Sequence, residues 1–216
     1  MSRHKIVLIH GYFKTFRDMR TLKMNLKDLG YDPICVDLPL TFSEIDKGSL
    51  KFSKLMKKMI ERLDNNEKIS MVGHSTGGLI IRRFLLENSQ YINYIDKCIF
   101  ICTPNNGSEL ADMINNYFKI LPRIFCTIRS LVSDSVSKID SISKKNIKIG
   151  AIAGNKSNLI TGRLLSDEND GRVTIASVEH EDLDDFIILP YNHAEIHYKK
   201  KTAKLIHNFI QKGKFK

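Results

Sequence analysis

Lys68-Ile69-Ser70-Met71-Val72-Gly73-His74-Ser75-Thr76-Gly77-Gly78-Leu79 is the stretch whose reading decides the fold. It begins with alternating apolar residues that suit a short buried strand and turns through Gly-His-Ser-Thr-Gly. It then enters Leu79-Ile80-Ile81, broken by Arg82-Arg83 and resumed at Phe84-Leu85-Leu86. The order is strand, sharp turn, helix. A Gly-x-Ser-x-Gly at such a junction holds its serine on a strained backbone, because Gly73 and Gly77 leave room where side chains would strike a neighbouring strand or helix. The Ser75 hydroxyl is then expected at the carboxyl end of a sheet, beside a helix N-terminus whose free N–H groups stabilise negative charge. Taken alone, the motif also fits an ordinary glycine-rich turn.

Upstream of it, Leu55, Met56, Met59, Ile60 and Leu63 mark an amphipathic helix, and Ile34-Cys35-Val36 before Asp37-Leu38-Pro39 reads as a short strand with its exit loop. Earlier still, Met19, Leu22, Leu26 and Leu29 lie at helical spacing and stop at Gly30, a C-cap residue. Ile6 to Ile9 is a continuous apolar run ending at His10-Gly11, the pattern of a strand buried on both faces. Downstream, Lys97-Cys98-Ile99-Phe100-Ile101-Cys102 reads as a strand that ends in the loop Thr103-Pro104-Asn105-Asn106-Gly107-Ser108. Ile147 to Gly154 is a further strand, followed by a polar loop to Asn169-Asp170-Gly171-Arg172 and the short apolar stretch Val173 to Ala176. Phe186 to Leu189 is the last strand signal, leading to Pro190-Tyr191-Asn192-His193, and Leu205, Ile206, Phe209 and Ile210 give a closing helix.

This alternation predicts an α/β fold: a mainly parallel central sheet of about six strands with helices on both faces. A length of 216 residues, 42% of them hydrophobic, suits a single domain over 1–216. The segment at about 108–146 breaks the rhythm. It is too long for one crossover helix, mixes apolar and basic residues, and carries Pro122, which interrupts a helix. It reads either as a small helical cap or lid inserted over a pocket, or as a bent helix packed on the core.

The formal net charge of +10 comes from lysines spread along the chain, with small clusters at Lys57-Lys58, Lys144-Lys145 and Lys199-Lys200-Lys201. No nucleic-acid recognition motif accompanies them, so the charge reads as a solvated surface. Weak association with an anionic membrane surface is the remaining partner class it allows. Met1 to Lys5 runs straight into Ile6 to Ile9, an apolar run too short for a secretory h-region, and no stretch has the length of a membrane span; a cytoplasmic location is expected. Cys35, Cys98, Cys102 and Cys126 sit in or near apolar segments and read as small core residues. Cys98 and Cys102, four apart on one strand, are expected on the same side of it, too far apart to bridge.

Three loops at carboxyl ends of expected strands offer Ser75, Asp170 and His193, in that order. Catalytic groups collect at that edge of open α/β sheets. The order nucleophile, acid, histidine, together with His10-Gly11, Gly73-His74-Ser75-Thr76-Gly77, the Thr103 to Ser108 loop, Asn169 to Val173 and Leu189 to His193, resembles the α/β-hydrolase superfamily, in particular its small lipase and esterase-like members. The resemblance runs from Ile6 almost to Lys216. It implies Ser75 as nucleophile, His193 as the base that later protonates the leaving group, and Asp170 as the carboxylate orienting His193. It also implies an oxyanion hole from the backbone N–H groups of Tyr12 and Thr76. No cofactor and no metal are expected.

Rival readings of single residues remain at this point. Asp170 lies in Asn-Asp-Gly turn chemistry, and Asp167 or Glu168 could supply the acid instead. His197, four residues after His193, competes for the base, and His-Ala-Glu-Ile-His lacks the His-Glu-x-x-His order of zinc proteases. His10 is expected to shape the oxyanion loop, and His74 to support the elbow or line a pocket. Unlike larger members of the superfamily, the sequence begins almost at the strand before the oxyanion loop, so a minimal core without the usual opening hairpin is expected. The implied activity is cleavage of a carboxylic, acyl or lipid ester of small-molecule size through an acyl-Ser75 intermediate. A thioesterase, amidase or acyltransferase could use the same groups, and a non-catalytic module that binds a lipid or protein is the reading from another class.

Overall fold

Residues of opposite parity along the strands feed two separate apolar clusters, and this explains the layering. In β1 (Lys5–Ile9), Ile6 and Leu8 enter one cluster while Val7 and Ile9 enter the other. Strands buried on both faces need helices on both. The structure is a computed structural model that describes residues 3–41, 45–64, 66–109, 111–112 and 147–216.

Six strands form one sheet, β1 with β2 (Asp32–Val36), β3 (Ile69–His74), β4 (Ile95–Ile101), β5 (Lys148–Gly154) and β6 (Asp185–Leu189). Every pairing is parallel, in the order β2-β1-β3-β4-β5-β6. Helices α1 (Arg20–Asp28) and α4 (Lys200–Lys212) cover one face, seating Leu22, Leu26, Ile206 and Phe209 against Ile6, Leu8, Val72 and Ile152. Helices α2 (Ile45–Ile60) and α3 (Thr76–Glu87) cover the other, seating Phe52, Met56, Leu79 and Phe84 against Val7, Met71 and Phe100. Each such fully buried side chain contributes about 1.5–3 kcal/mol relative to leaving it in water. Gly30, φ +92, stands just past the end of α1, where the sequence asks for a cap.

One local expectation changes, at the end of β4. β4 stops at Ile101, and Cys102 takes a left-handed backbone, φ 49. The turn carries Cys102 into the cluster under α1 and α4, whereas Cys98 packs into the cluster under α2 and α3. The two cysteines therefore lie on opposite faces of the sheet, not on one. The short apolar stretch Val173 to Ala176 runs into a single helical turn, Ile175–Val178, capped by Thr174 Oγ1, which accepts the Ser177 N–H. Of the cap expected at 108–146, all but residues 108, 109, 111 and 112 lie outside the described residues, as does Cys126. Among the described residues no helix is long and apolar enough to cross a membrane.

Candidate active site

The junction of β3 and α3 is built by close approach of backbone to backbone. Ser75 sits between them at φ 53, ψ −126, a conformation that costs about 1–3 kcal/mol for a residue with a side chain. Its N–H donates to Ile101 O at 2.8 Å, and its carbonyl accepts from Gly78 N–H at 3.0 Å. A Cβ on Gly77 would stand 2.5 Å from Ile9 O and 2.7 Å from His10 O, and one on Gly11 would stand 2.9 Å from Ser75 Cβ. The loop after β1 thus lies directly on the elbow.

His10 clamps that loop. Its Nε2 accepts the Leu38 N–H at 3.1 Å, which leaves Nδ1 to carry the proton and donate to Gly11 O at 2.9 Å. Burial holds this imidazole below its ordinary pKa. Tyr12 follows in the same loop, and Thr76 opens α3, where the first N–H groups lack intrahelical partners. Neither the Tyr12 nor the Thr76 N–H meets a backbone acceptor among the described residues.

At the other side of the same sheet edge, Asp170 and His193 hold one another. Asp170 Oδ2 accepts from His193 Nδ1 at 2.7 Å, and the His193 N–H donates to Asp170 O at 2.8 Å. Oδ1 accepts the N–H groups of Arg172 (2.9 Å) and Val173 (2.8 Å). The turn role and the partner role, alternatives in the sequence, coexist in this one residue. Burial pushes the Asp170 carboxyl up, but His193 and the other donors outweigh it and leave the group below its ordinary value. Asp167 and Glu168 are exposed, and Glu168 Oε1 accepts from Asn155 instead.

Ser75 and His193 line one cavity of about 330 Å3, together with Tyr12, Phe13, Pro104 and Val173, so its walls are largely apolar. His193 is 3% exposed and Ser75 partly exposed. No hydrogen bond joins Ser75 to His193 among the described residues. Such contacts in hydrolytic sites often tighten only when substrate binds.

A buried cluster lies against His193, of which the sequence announced His74 and His197 but not Asp18. His74 Nε2–H donates to His193 O at 3.1 Å, and the His74 ring lies against His197 with centroids 4.0 Å apart and planes tilted by 30°. His197 Nε2 is 3.1 Å from Asp18 Oδ2, close but off the hydrogen-bond axis, and Asp18 Oδ1 accepts from Tyr198 Oη at 2.5 Å. The rival histidine of the sequence therefore turns to Asp18, not Asp170. Burial drives His74 well below, and His197 below, the ordinary imidazole pKa, so both are neutral near pH 7. Burial would raise Asp18, but the adjacent His197 ring, the Tyr198 hydroxyl and Lys14 outweigh it and keep the carboxylate ionised.

Asp18, His74 and His197 offer metal-ligand atoms within 4.8 Å of one another. Imidazoles bind metals through an in-plane lone pair, and His74 Nε2 already carries the proton it donates to His193 O. Lys14 Nζ, 3.4 Å from Asp18 Oδ1, already supplies a cation there. This donor set does not suit a divalent ion without rearrangement.

Arg82 is the other unannounced element, a 1% exposed arginine within α3. Its guanidinium meets Asp182 at 3.2 Å and Asn105 at 3.3 Å, and Asn105 donates to Val178 O at 2.7 Å. The elbow helix is thereby tied to the loops after β4 and before β6. Asp18, Arg82 and Asp182 carry no local motif; only the fold brings their partners to them.

A family model described as alpha/beta hydrolase fold matches residues 5–136, more than half of the chain. Over 104 residues the chain is 36% identical to "Putative methylesterase 12, chloroplastic" of Arabidopsis thaliana, a match spanning 45% of this chain and 29% of that protein. It is 29% identical over 104 residues to triacylglycerol lipase 2 of Saccharomyces cerevisiae, across 46% of this chain and 31% of that protein. The matches thus span less than a third of the length of these curated relatives. Among solved structures, the mature lipase BlEst2 of Bacillus licheniformis superimposes with a TM-score of 0.78 at 19% identity, over 97% of this chain and 91% of that one. The metagenomic carboxyl esterase MGS0156 gives 0.75 at 14% identity, over 99% and 77%. At these identities the structural likeness is one of fold.

Proposed function

The chain belongs to the alpha/beta hydrolase fold family, and on that premise we propose that it is a serine hydrolase cleaving a carboxylic ester through an acyl-Ser75 intermediate. The observation that carries the reading is the Asp170–His193 hydrogen bond at 2.7 Å, in a cavity that Ser75 also lines. With Nδ1 of His193 engaged by Asp170, Nε2 is the nitrogen free to act as base. His193 takes the Ser75 proton as Oγ attacks the ester carbonyl, and the oxyanion is received by the N–H groups of Tyr12 and Thr76. Each such donor is worth roughly 2.7–4 kcal/mol in kcat. The carbon–oxygen bond to the alcohol then breaks and His193 returns the proton to the leaving alkoxide. Water, deprotonated by His193, cleaves the acyl-serine and restores the enzyme.

The apolar cavity walls favour a small acyl ester or lipid over a peptide. The charge of +10 accords with weak attraction to an anionic membrane. A panel of nitrophenyl esters of increasing chain length, with and without anionic vesicles, tests the reading. Turnover that depends on His193 is expected. Absence of turnover above buffer with every ester and vesicle would favour a binding module instead.

A further inference from the structure

The strand that supports the elbow also delivers a buried thiol to the back of the acid–base pair. Ile101, the last residue of β4, accepts the Ser75 N–H, and the next residue, Cys102, turns left-handed while its own N–H donates to Ile152 O at 2.8 Å. A positive φ on a residue with a side chain is costly, so the fold holds Cys102 there against its preference. Its side chain is wholly buried, and its Sγ lies with an Asp170 carboxylate oxygen and a His193 ring nitrogen in a group whose atoms are all within 4.8 Å. Asp170 Oδ1 is already filled by two backbone N–H groups, whereas Oδ2 receives only His193 among the hydrogen bonds above.

We propose that Cys102 is a positioning residue for Asp170, its S–H donating to the carboxylate that His193 also engages. A thiol is a weak donor, so it fixes the carboxylate without competing strongly for its charge. Burial, with the Asp170 charge alongside, pushes the thiol pKa well up, so it keeps the proton it donates. The inference rests on the triad reading above for its effect on turnover, though the local geometry does not depend on that reading.

Two readouts test it on the full-length chain: the pH profile of kcat/KM with a nitrophenyl ester, and the downfield proton resonance of the His193 Nδ1–H. In Cys102→Ala the carboxylate loses a donor and becomes a stronger acceptor for the imidazolium. The acid limb should therefore move up by a few tenths of a pH unit and the resonance further downfield, with kcat reduced about 3- to 10-fold and KM unchanged. Cys102→Ser, which keeps a donor, should restore both readouts. An unmoved limb and resonance in Cys102→Ala would overturn the proposal. So would a Cys102→Ser protein as altered as Cys102→Ala, because packing and not donation would then be at work. If no protein turns over ester but the resonance still moves in Cys102→Ala and recovers in Cys102→Ser, the positioning stands and the reaction assigned to Ser75 is what fails.

Discussion

The two halves of the candidate site are held by different forces. On the elbow side, Ser75 is fixed by backbone atoms packed too closely for side chains at Gly77 and Gly11, where the elbow turn meets the loop after β1. On the other side, Asp170 and His193 are fixed by side-chain hydrogen bonds between loops 23 residues apart, with His74 reaching His193 from 119 residues away. Sterics set a position once and tolerate no substitution. Hydrogen bonds allow graded loss, and they couple the site to pH.

The contrast can be broken most sharply at Ser75. Ser75→Ala removes one hydroxyl and no packing, so ester turnover should fall by about a million-fold while the thermal midpoint stays within a degree or two. Asp170→Asn keeps the shape of the acid side but offers the wrong partner to Nδ1, and kcat should fall about 10,000-fold in the same assay. Gly77→Ala should act through the fold instead: its Cβ meets two carbonyl oxygens that cannot yield, and denaturant titration should show a loss of about 4 kcal/mol or more. Asp182→Ala leaves the buried Arg82 guanidinium without its carboxylate and should cost about 3–5 kcal/mol in that titration, with the elbow turn itself intact.

The last effect is graded: a pH dependence of stability. His10, His74 and His197 all have folded pKa values below the 6.5 of the unfolded chain, because burial opposes their charge. Below that value the unfolded state binds protons that the folded state refuses. Their contribution is therefore fully present above about pH 6.5 and is lost as pH falls, by up to about 1.4 kcal/mol per group per pH unit. Urea titrations at about pH 7.5 and 5.5 should show the fall, and His197→Gln should make it shallower.

The same contrast decides how much was legible beforehand. The elbow was readable because its glycine spacing is written in one short stretch: a Cβ on Gly73 would strike Gly77 and Gly78, and the apolar runs flanking them announce strand and helix, whereas the packing of Gly77 on Ile9 and His10 is a contact the fold alone supplies. The strands, buried on both faces, also read as such, and their alternation with helices gave the parallel sheet. Asp170 was readable as the expected acid with Asp167 and Glu168 as rivals, and it is Asp170 that the loop geometry brings to His193. Asp18, Arg82 and Cys102 were not legible as parts of the site surroundings, since each meets its partner through contacts of long sequence separation. Cys102 also defeated strand periodicity, because the strand ends one residue before it and the left-handed turn moves it to the other face.

The central claim is that Ser75 is an activated nucleophile, and labelling with a fluorophosphonate probe followed by mass spectrometry of the digested protein tests it most directly. One adduct on the peptide containing Ser75, absent from Ser75→Ala and strongly slowed in His193→Ala, is the expected result. Labelling that persists undiminished in Ser75→Ala, or a wild-type protein that takes up no probe, would contradict it.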